Sequence, residues 1–316
     1  MGKYCIGVDL GGTSTKMGLF TEAGKLITKW SISTEKSDHG SHILSDINAS
    51  INNKISQSDI DKSDVIGIGI GVPGPVTAEG TVTVCVNLGW TNVPVAKDLS
   101  SMSGLKVRVE NDANIAALGE MWQGSAKGYK SLVLITLGTG IGGGVIIEGK
   151  IVSGLYGAAG EFGHMPIVPD ITEVCGCGRR GCLEQVSSAT GIVKEAKRLL
   201  ADTRMQSSDI PSILYKLDNI TARDVLEAAK VGDTLALQVT ERAGHYLGKA
   251  MASITSVIDP QVYIIGGGLS GAGDFLIDLI KRHYEGNVLY VSKGTEIKLA
   301  YLGNDAGIYG AAYMVI

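Results

Sequence analysis

Strands alternating with helices along a chain of 316 residues predict an α/β protein of two domains. Two observations beyond the alternation carry this expectation. Glycine-rich turns follow directly on apolar strands, and a strand-turn-strand unit at the start recurs near the middle of the chain. Residues 4–10 read as a buried strand, Gly11-Gly12-Thr13 as a turn, and 16–20 as a second strand. Glu22-Ala23-Gly24 turns into a strand over 25–32. A helix-periodic stretch spans 42–57, and a strand over 65–70 is broken by Pro73 and Pro75. Residues 105–109 form another short strand, and Asn111-Asp112 opens a helix over 113–122.

From Leu132 the opening pattern restarts: strand 134–137, turn Gly138-Thr139-Gly140, strand 144–147, turn Glu148-Gly149-Lys150. Asp9-Leu10-Gly11 aligns with Thr136-Leu137-Gly138, which predicts a duplicated domain. Helical periods follow over 186–200, 222–229 and 235–257, then a strand over 262–265, Gly266-Gly267-Gly268, and a helix from about Asp274. The expected division is a small N-terminal domain over 1–115, joined by a C-terminal helix at about 303–316, and a large domain over 116–302.

Apolar side chains make up 44% of the chain, enough for a large core and too many for a disordered protein. Lys and Arg total 28 against 32 Asp and Glu, so no global positive field exists to hold a nucleic acid, and no local basic patch replaces it. The first residues lead straight into a strand pattern without signal-peptide regions, and no apolar run is long enough to span a bilayer. Three of the five cysteines crowd together and the other two sit in strands, a layout unlike a disulfide framework. A cytoplasmic enzyme acting on a small molecule is the class that remains.

The 44 glycines gather after strands, where bare backbone can approach a ligand. The turns at Gly11-Gly12-Thr13 and Gly138-Thr139-Gly140 can present N–H groups to phosphate oxygens, although each alone could be an ordinary hairpin turn. Three nearby motif matches fail on context. Gly69-x-Gly71-x-x-Gly74 and Gly138-x-Gly140-x-x-Gly143 fit the dinucleotide fingerprint, but prolines or a strand follow where a helix must open. Gly144-x-x-x-x-Gly149-Lys150 resembles a P-loop, yet Ile151 stands at the Ser/Thr position in a strand and hairpin.

Five segments, in order, resemble the ROK family of bacterial sugar kinases and repressors within the actin-like ATPase superfamily. They are Asp9-Leu10-Gly11-Gly12-Thr13, Glu110-Asn111-Asp112-Ala113-Asn114, Gly138-Thr139-Gly140-Ile141-Gly142-Gly143, Glu161-Phe162-Gly163-His164, and Cys175-Gly176-Cys177-Gly178-Arg179-Arg180-Gly181-Cys182-Leu183-Glu184. The resemblance covers essentially the whole chain and implies a ribonuclease H-like fold of two domains with the active site in a cleft between them. It implies ATP-dependent transfer to the 6-hydroxyl of a hexose, feeding glycolysis, by a homodimer or higher homo-oligomer. The runs 110–154 and 175–188 look most like the glucose enzymes of Gram-positive bacteria. N-acetylmannosamine, fructose and allose are the alternative acceptors.

By the same resemblance, Gly11, Gly12, Thr13, Lys16, Gly138, Thr139 and Gly140 meet the nucleotide, and Gly266, Gly267 and Gly268 accept the adenosine. Asp9 holds Mg²⁺, an ion that keeps several waters and needs few carboxylates; as a turn residue it could also be a simple cap. Asp112 is the expected general base, since phosphoryl transfer asks mainly for a positioned nucleophile and neutralised charge. A helix N-cap is its plainer role. Sugar contacts fall on Gly74, Asn111, Asp112, Glu161, His164 and Glu184, and Asn87, Leu88 and Trp90 could line the same cleft.

Cys175, Cys177 and Cys182, spaced Cys-x-Cys-x4-Cys with His164 eleven residues upstream, supply the four donors of a closed structural zinc site. Reduced buried cysteines beside a core histidine are the alternative. One imidazole nitrogen would bind the metal and the other face the sugar. A sugar-responsive repressor of the same family would carry an N-terminal helix-turn-helix, for which a first strand at Tyr4 leaves no room. A chaperone-type ATPase would need neither the cysteines nor the paired sugar carboxylates.

Overall fold

The computed structural model describes residues 2–205 and 211–316. Its strands are β1 (Tyr4–Leu10), β2 (Ser14–Thr21), β3 (Leu26–Ser33), β4 (Val65–Val72), β5 (Val82–Cys85), β6 (Trp90–Val93), β7 (Val107–Asn111), β8 (Leu132–Leu137), β9 (Ile141–Ile147), β10 (Lys150–Ile151), β11 (Val262–Gly266) and β12 (Glu296–Leu299). The helices are α1 (Ser37–Gly40, one turn), α2 (Ile43–Ser56), α3 (Val95–Ser103), α4 (Asp112–Gln123), α5 (Glu184–Ser187), α6 (Ala189–Met205), α7 (Ala222–Lys230), α8 (Thr234–Ile258), α9 (Asp274–Glu285) and α10 (Ala306–Tyr313).

One five-stranded sheet runs β3-β2-β1-β4-β7 and the other β10-β9-β8-β11-β12. The order of roles is the same in both: a third, second and first strand, then two more beyond the first. In the first sheet β1 is antiparallel to β2 and parallel to β4, and β4 is parallel to β7. This is the duplication expected from the alignment of residues 9–11 with 136–138. Between Val72 and β5 no helix follows Gly74, and β9 turns through Glu148 and Gly149 into β10, so neither glycine motif there forms a nucleotide loop of the kinds set aside above.

The chain divides into two compact units. Unit 1 comprises 1–132, 144–160 and 301–316, and unit 2 comprises 133–143 and 161–300. The boundary at 115/116 expected from sequence would cut α4, whose whole length stays with unit 1 because α4 packs along α10.

In unit 1, α10 lies against the first sheet at backbone distance. A Cβ on Gly7 or Gly69 would overlap the carbonyls of Ile308 and Ala311, and one on Gly119 or Gly310 would overlap those of Ala306 and Ile115. Four glycines, one each on β1, β4, α4 and α10, therefore let a helix, a sheet and a second helix touch without intervening side chains. Phe20, Trp122, Tyr309 and Tyr313 close the packing with edge-on and tilted ring contacts. Glu120, with no exposed surface, fastens the same corner: its Oε2 accepts from Ser125 N–H at 2.8 Å and Tyr301 N–H at 3.1 Å, and its Oε1 from Leu302 N–H at 2.8 Å.

In unit 2, α8 carries its apolar stripe against α9, with Gly244 and Gly248 facing Leu279 and His283. Its N-terminus is capped by Asp233, whose Oδ1 accepts from Ala236 N–H at 2.9 Å. The helix expected over 186–200 is two helices: Ser188 between them is extended, and its hydroxyl donates to Glu184 O at 2.6 Å. Leu88 and Trp90, considered as cleft residues, are 1% and 4% exposed and belong to the core of unit 1.

Gly69→Ala should lower stability by about 3 kcal/mol or more, since the obstructing atom is a backbone carbonyl that cannot step aside. Gly294→Ala, where a Cβ meets nothing within 4 Å, should stay within about 0.5 kcal/mol. Urea titration of both variants checks this, and an unshifted midpoint for Gly69→Ala would contradict the close docking of α10.

Candidate functional site

The site residues of unit 1 sit at the ends of the central strands. Asp9, next to last in β1, stands opposite Lys16 on β2, because the antiparallel register pairs these two positions. The carboxylate has no hydrogen-bond partner among the described residues. Burial pushes its pKa up to about 6, against the lowering influence of Lys16 and with a smaller upward push from Asp112. A Cβ on Gly307 would stand 2.8 Å from the Asp9 carboxylate, so the start of α10 leaves room for the acid only because it is glycine. A partly buried acid short of donors beside one lysine suits a hydrated cation.

The turn after β1 is closed by Gly11 N–H donating to Ser14 O at 3.1 Å, and Thr34 secures it from β3's end, its hydroxyl donating to Gly11 O at 2.8 Å. Thr34 is a support that the sequence did not single out. Gly12 adjoins Asn87, the nearest atom to a Cβ there at 3.9 Å. Lys16 Nζ donates to Asn304 O at 3.2 Å, which joins β2 to the approach of α10.

Asn111, at the end of β7, caps α4: its Oδ1 accepts from Ala113 N–H at 2.9 Å and Asn114 N–H at 3.3 Å. The cap considered for Asp112 therefore belongs to its neighbour. Asp112 is the first helical residue, exposed at the N-terminus of α4. Asn111 Nδ2 donates to Gly74 O at 3.2 Å, so the side chain assigned to the sugar also holds the Gly74 turn to the head of the helix.

In unit 2, Gly138, Thr139 and Gly140 turn between β8 and β9, and Ala189 N–H at the head of α6 donates to Gly138 O at 2.8 Å. Gly267, at φ +84°, packs on the backbone of Leu137, with atoms about 2.6 Å from where a Cβ would stand. The two glycine motifs assigned to the nucleotide within this unit are thus adjacent. Gly138 and Gly268 have ordinary backbone angles and nothing within 4 Å of a Cβ, so the fold itself does not require glycine there. A cavity of about 330 Å³ opens beside Thr139 and Gly140, bounded also by Glu184, Ser188, Gly191 and Lys194. Ser188 and Gly191 escaped notice in the sequence because they look like an unremarkable helix interior.

The cysteine loop is a small hairpin, with Cys175 N–H donating to Arg179 O at 2.7 Å and Gly178 N–H to Cys175 O at 2.8 Å. It brings the donor atoms of His164, Cys175, Cys177 and Cys182 within 4.8 Å of one another. Zn–S bonds of about 2.3 Å at tetrahedral angles require sulfur atoms roughly 3.8 Å apart. Cys177 and Cys182 Sγ are 3.6 Å apart, and Cys175 Sγ is 3.8 Å from His164 Nδ1, so the donor set fits a tetrahedral zinc ion. Burial pushes the Cys175 thiol up to about 12, while the Arg179 backbone N–H pulls Cys177 down to about 6. Glu184 Oε1 accepts from the Cys175 thiol at 3.0 Å and lies 3.4 Å from His164 Nδ1. The other ring nitrogen, Nε2, lies 4.0 Å from Glu161 Oε2. Glu161, His164 and Glu184 thus form one polar cluster whose imidazole offers Nδ1 to the metal and Nε2 to the side where Glu161 stands.

The ROK family model matches residues 5–316. A glucokinase of Halalkalibacterium halodurans is 43% identical, with 99% of this chain and 95% of that protein covered, and one of Thermotoga maritima is 37% identical over 98% and 96%. The crystal structure of a ROK family glucokinase from Streptomyces griseus with glucose and AMPPNP superposes with a TM-score of 0.75 at 33% identity, covering 98% of each chain. The doubled sheet accordingly has the ribonuclease H-like topology of the sugar kinases. With the family model spanning residues 5–316 and relatives 43% and 37% identical over nearly all of the chain, this chain belongs to the ROK family.

Proposed function

We propose that this chain is an ATP-dependent glucokinase, transferring the γ-phosphoryl group of Mg-ATP to the 6-hydroxyl of glucose, with Asp112 as general base. The observation that carries the reading is the 43% identity to the Halalkalibacterium halodurans glucokinase over nearly the whole of both chains. Asp112, exposed at the first turn of α4, would accept the proton of the sugar hydroxyl. Glu161, His164 and Glu184, with Asn111 and the turn at Gly74, would hold the remaining hydroxyls, as suits carboxylates and an imidazole with a free ring nitrogen. The bare backbone at Gly11, Gly12 and Thr13 and at Gly138, Thr139 and Gly140 would lie along the phosphates, with Lys16 nearby and Gly266, Gly267 and Gly268 toward the adenosine. Mg²⁺ supplies Lewis-acid stabilisation of the phosphate oxygens when bound, and Asp9 is the group that would hold it.

The protein would act in the cytoplasm, where thiols stay reduced as metal ligands, and as a homodimer or higher homo-oligomer. Leu289, Tyr290 and Val291, at 64%, 82% and 70% exposure, support the assembly.

A coupled ADP-release assay with Mg-ATP tests the acceptor across glucose, N-acetylmannosamine, fructose, mannose and allose. Glucose should give the highest kcat/KM, and Asp112→Asn should lower kcat on the order of a hundred- to ten-thousand-fold with sugar binding largely kept. Preference for another hexose would replace the substrate, and a mutant of near-normal rate would remove Asp112 from the mechanism.

Chelating the metal should lower Tm and raise the KM for sugar together, because His164 serves both the cysteine cluster and the polar cluster with Glu161. Elemental analysis should find one zinc per chain, lost in Cys182→Ser. Zinc loss that left sugar affinity intact would separate the two clusters.

Asp9 sets a pH dependence. Its folded pKa lies above the ordinary value of 3.8, so the ionised form burdens the fold: the penalty is absent below about pH 4, grows toward pH 6 and is full above it. In metal-free protein Asp9→Asn should therefore stabilise by up to about 3 kcal/mol above pH 6 and by nothing below pH 4. Urea midpoints across that range check the sign. A stabilisation independent of pH would exclude the charge as its cause.

A further inference from the structure

Glu110 precedes the Asn111-Asp112 pair, yet neither of its oxygens is free to take part in the reaction. Its Oε1 accepts from Asn111 N–H at 2.8 Å and from Asn114 Nδ2 at 3.0 Å, and its Oε2 accepts from the Ser153 hydroxyl at 2.8 Å. Asn114 is 2% exposed, so one of these bonds is made by a buried side chain. The residues on both sides of Asp112 are thus held by a single carboxylate: Asn111 through its backbone, Asn114 through its side chain.

The third bond reaches a different segment. Ser153 leads into Gly157, at φ +68°, where a Cβ would come within 2.9 Å of both Val76 N and Val76 O, so this stretch lies flat on the chain just after Gly74. Gly74 O is in turn the acceptor of Asn111 Nδ2. Strand end, helix start, Gly74 turn and the segment from Ser153 to Gly157 therefore close into one loop of contacts with the Glu110 carboxylate at its centre. An ionised carboxylate suits the centre because all three partners are donors and it can only accept.

We infer that Glu110 is the positioning residue that fixes the direction of the Asp112 carboxylate and the Gly74 turn relative to each other. It acts through Asn111, Asn114 and Ser153 without touching substrate. The inference rests on the reading of Asp112 as general base. Displacing a reacting group by about 1 Å can cost a hundredfold in rate, whereas affinity held by several other hydroxyl contacts changes less. Glutamine at position 110 keeps the shape and one acceptor for the two Asn111 and Asn114 donors, and the Ser153 hydroxyl can turn round to accept from its amide.

The test measures kcat and the KM for glucose in Glu110→Ala, Glu110→Gln, Ser153→Ala and Asp112→Asn of the full-length chain, with Tm and amide exchange over 110–114 and 153–157. Expected are a fall in kcat of about a hundredfold in Glu110→Ala with KM changed less than tenfold, and recovery to within tenfold in Glu110→Gln. Amide exchange should quicken over both segments in Glu110→Ala and over 153–157 alone in Ser153→Ala. Should Glu110→Ala not fold, Ser153→Ala and Glu110→Gln carry the decision, and unchanged exchange over 153–157 in Ser153→Ala overturns the inference. So does a Glu110→Ala with normal kcat, or one whose kcat loss Glu110→Gln does not recover. An Asp112→Asn of near-normal rate would instead remove the base assignment, whatever Glu110 does.

Discussion

The approach of α10 to the first sheet and to α4 at backbone distance is the constraint on which the rest of unit 1 depends. Each glycine placed in a strand or helix costs roughly 0.5–1 kcal/mol relative to alanine, so a stripe of them is unfavourable for the elements taken singly. The return is density: Ile308, Ala311 and Ala312 pack directly on β1 and β4, and the aromatic rings of Phe20, Trp122 and Tyr309 seal the edge. The same closeness places Gly307 against Asp9, and so sets how little water and how few donors that acid meets.

Hydrogen-bond supply sets Glu110 and Glu120 apart from Asp9. Glu110 and Glu120 each collect three donors and are consumed in holding backbone together. Asp9 collects none among the described residues, and its burial is offset only in part by Lys16, so an arriving cation would relieve it. Asp112 stands between these extremes, exposed on a helix terminus whose frame is built by its neighbours. Unit 2 follows the same logic with softer atoms: three thiols and an imidazole converge, and Glu184 meets two of them.

Much of this was legible in the residues themselves. Apolar runs bounded by glycine marked the central strands, and the recurrence of the opening unit at Leu132 announced the doubled sheet order, because burial of both faces leaves little freedom in such sequences. The hairpin β5–β6 and helix α3 were not read, being short segments whose pattern fits strand, turn or helix about equally well. Asn111 and Asp112 are both able caps, and only the backbone angle at Asn111 decides between them. The holding roles of Glu110 and Glu120 were not legible, although Glu110 stood in a motif, because Ser153 lies 43 residues from Glu110 and Tyr301 and Leu302 lie 181 and 182 from Glu120, and no local rule reaches that far.

The position of α10 at the far end of the chain has a consequence for how the molecule is made. Unit 1 is discontinuous, with 140 residues (161–300) lying between its segment that ends at 160 and the segment that carries α10; at about 5–20 residues per second, that interval lasts on the order of 10–30 s. Throughout it, the glycine-lined surface of β1 and β4 has no helix to cover it. The first sheet can therefore be covered only after residues 161–300 have been made, whereas unit 2, nearly continuous in sequence, is complete before α10 appears.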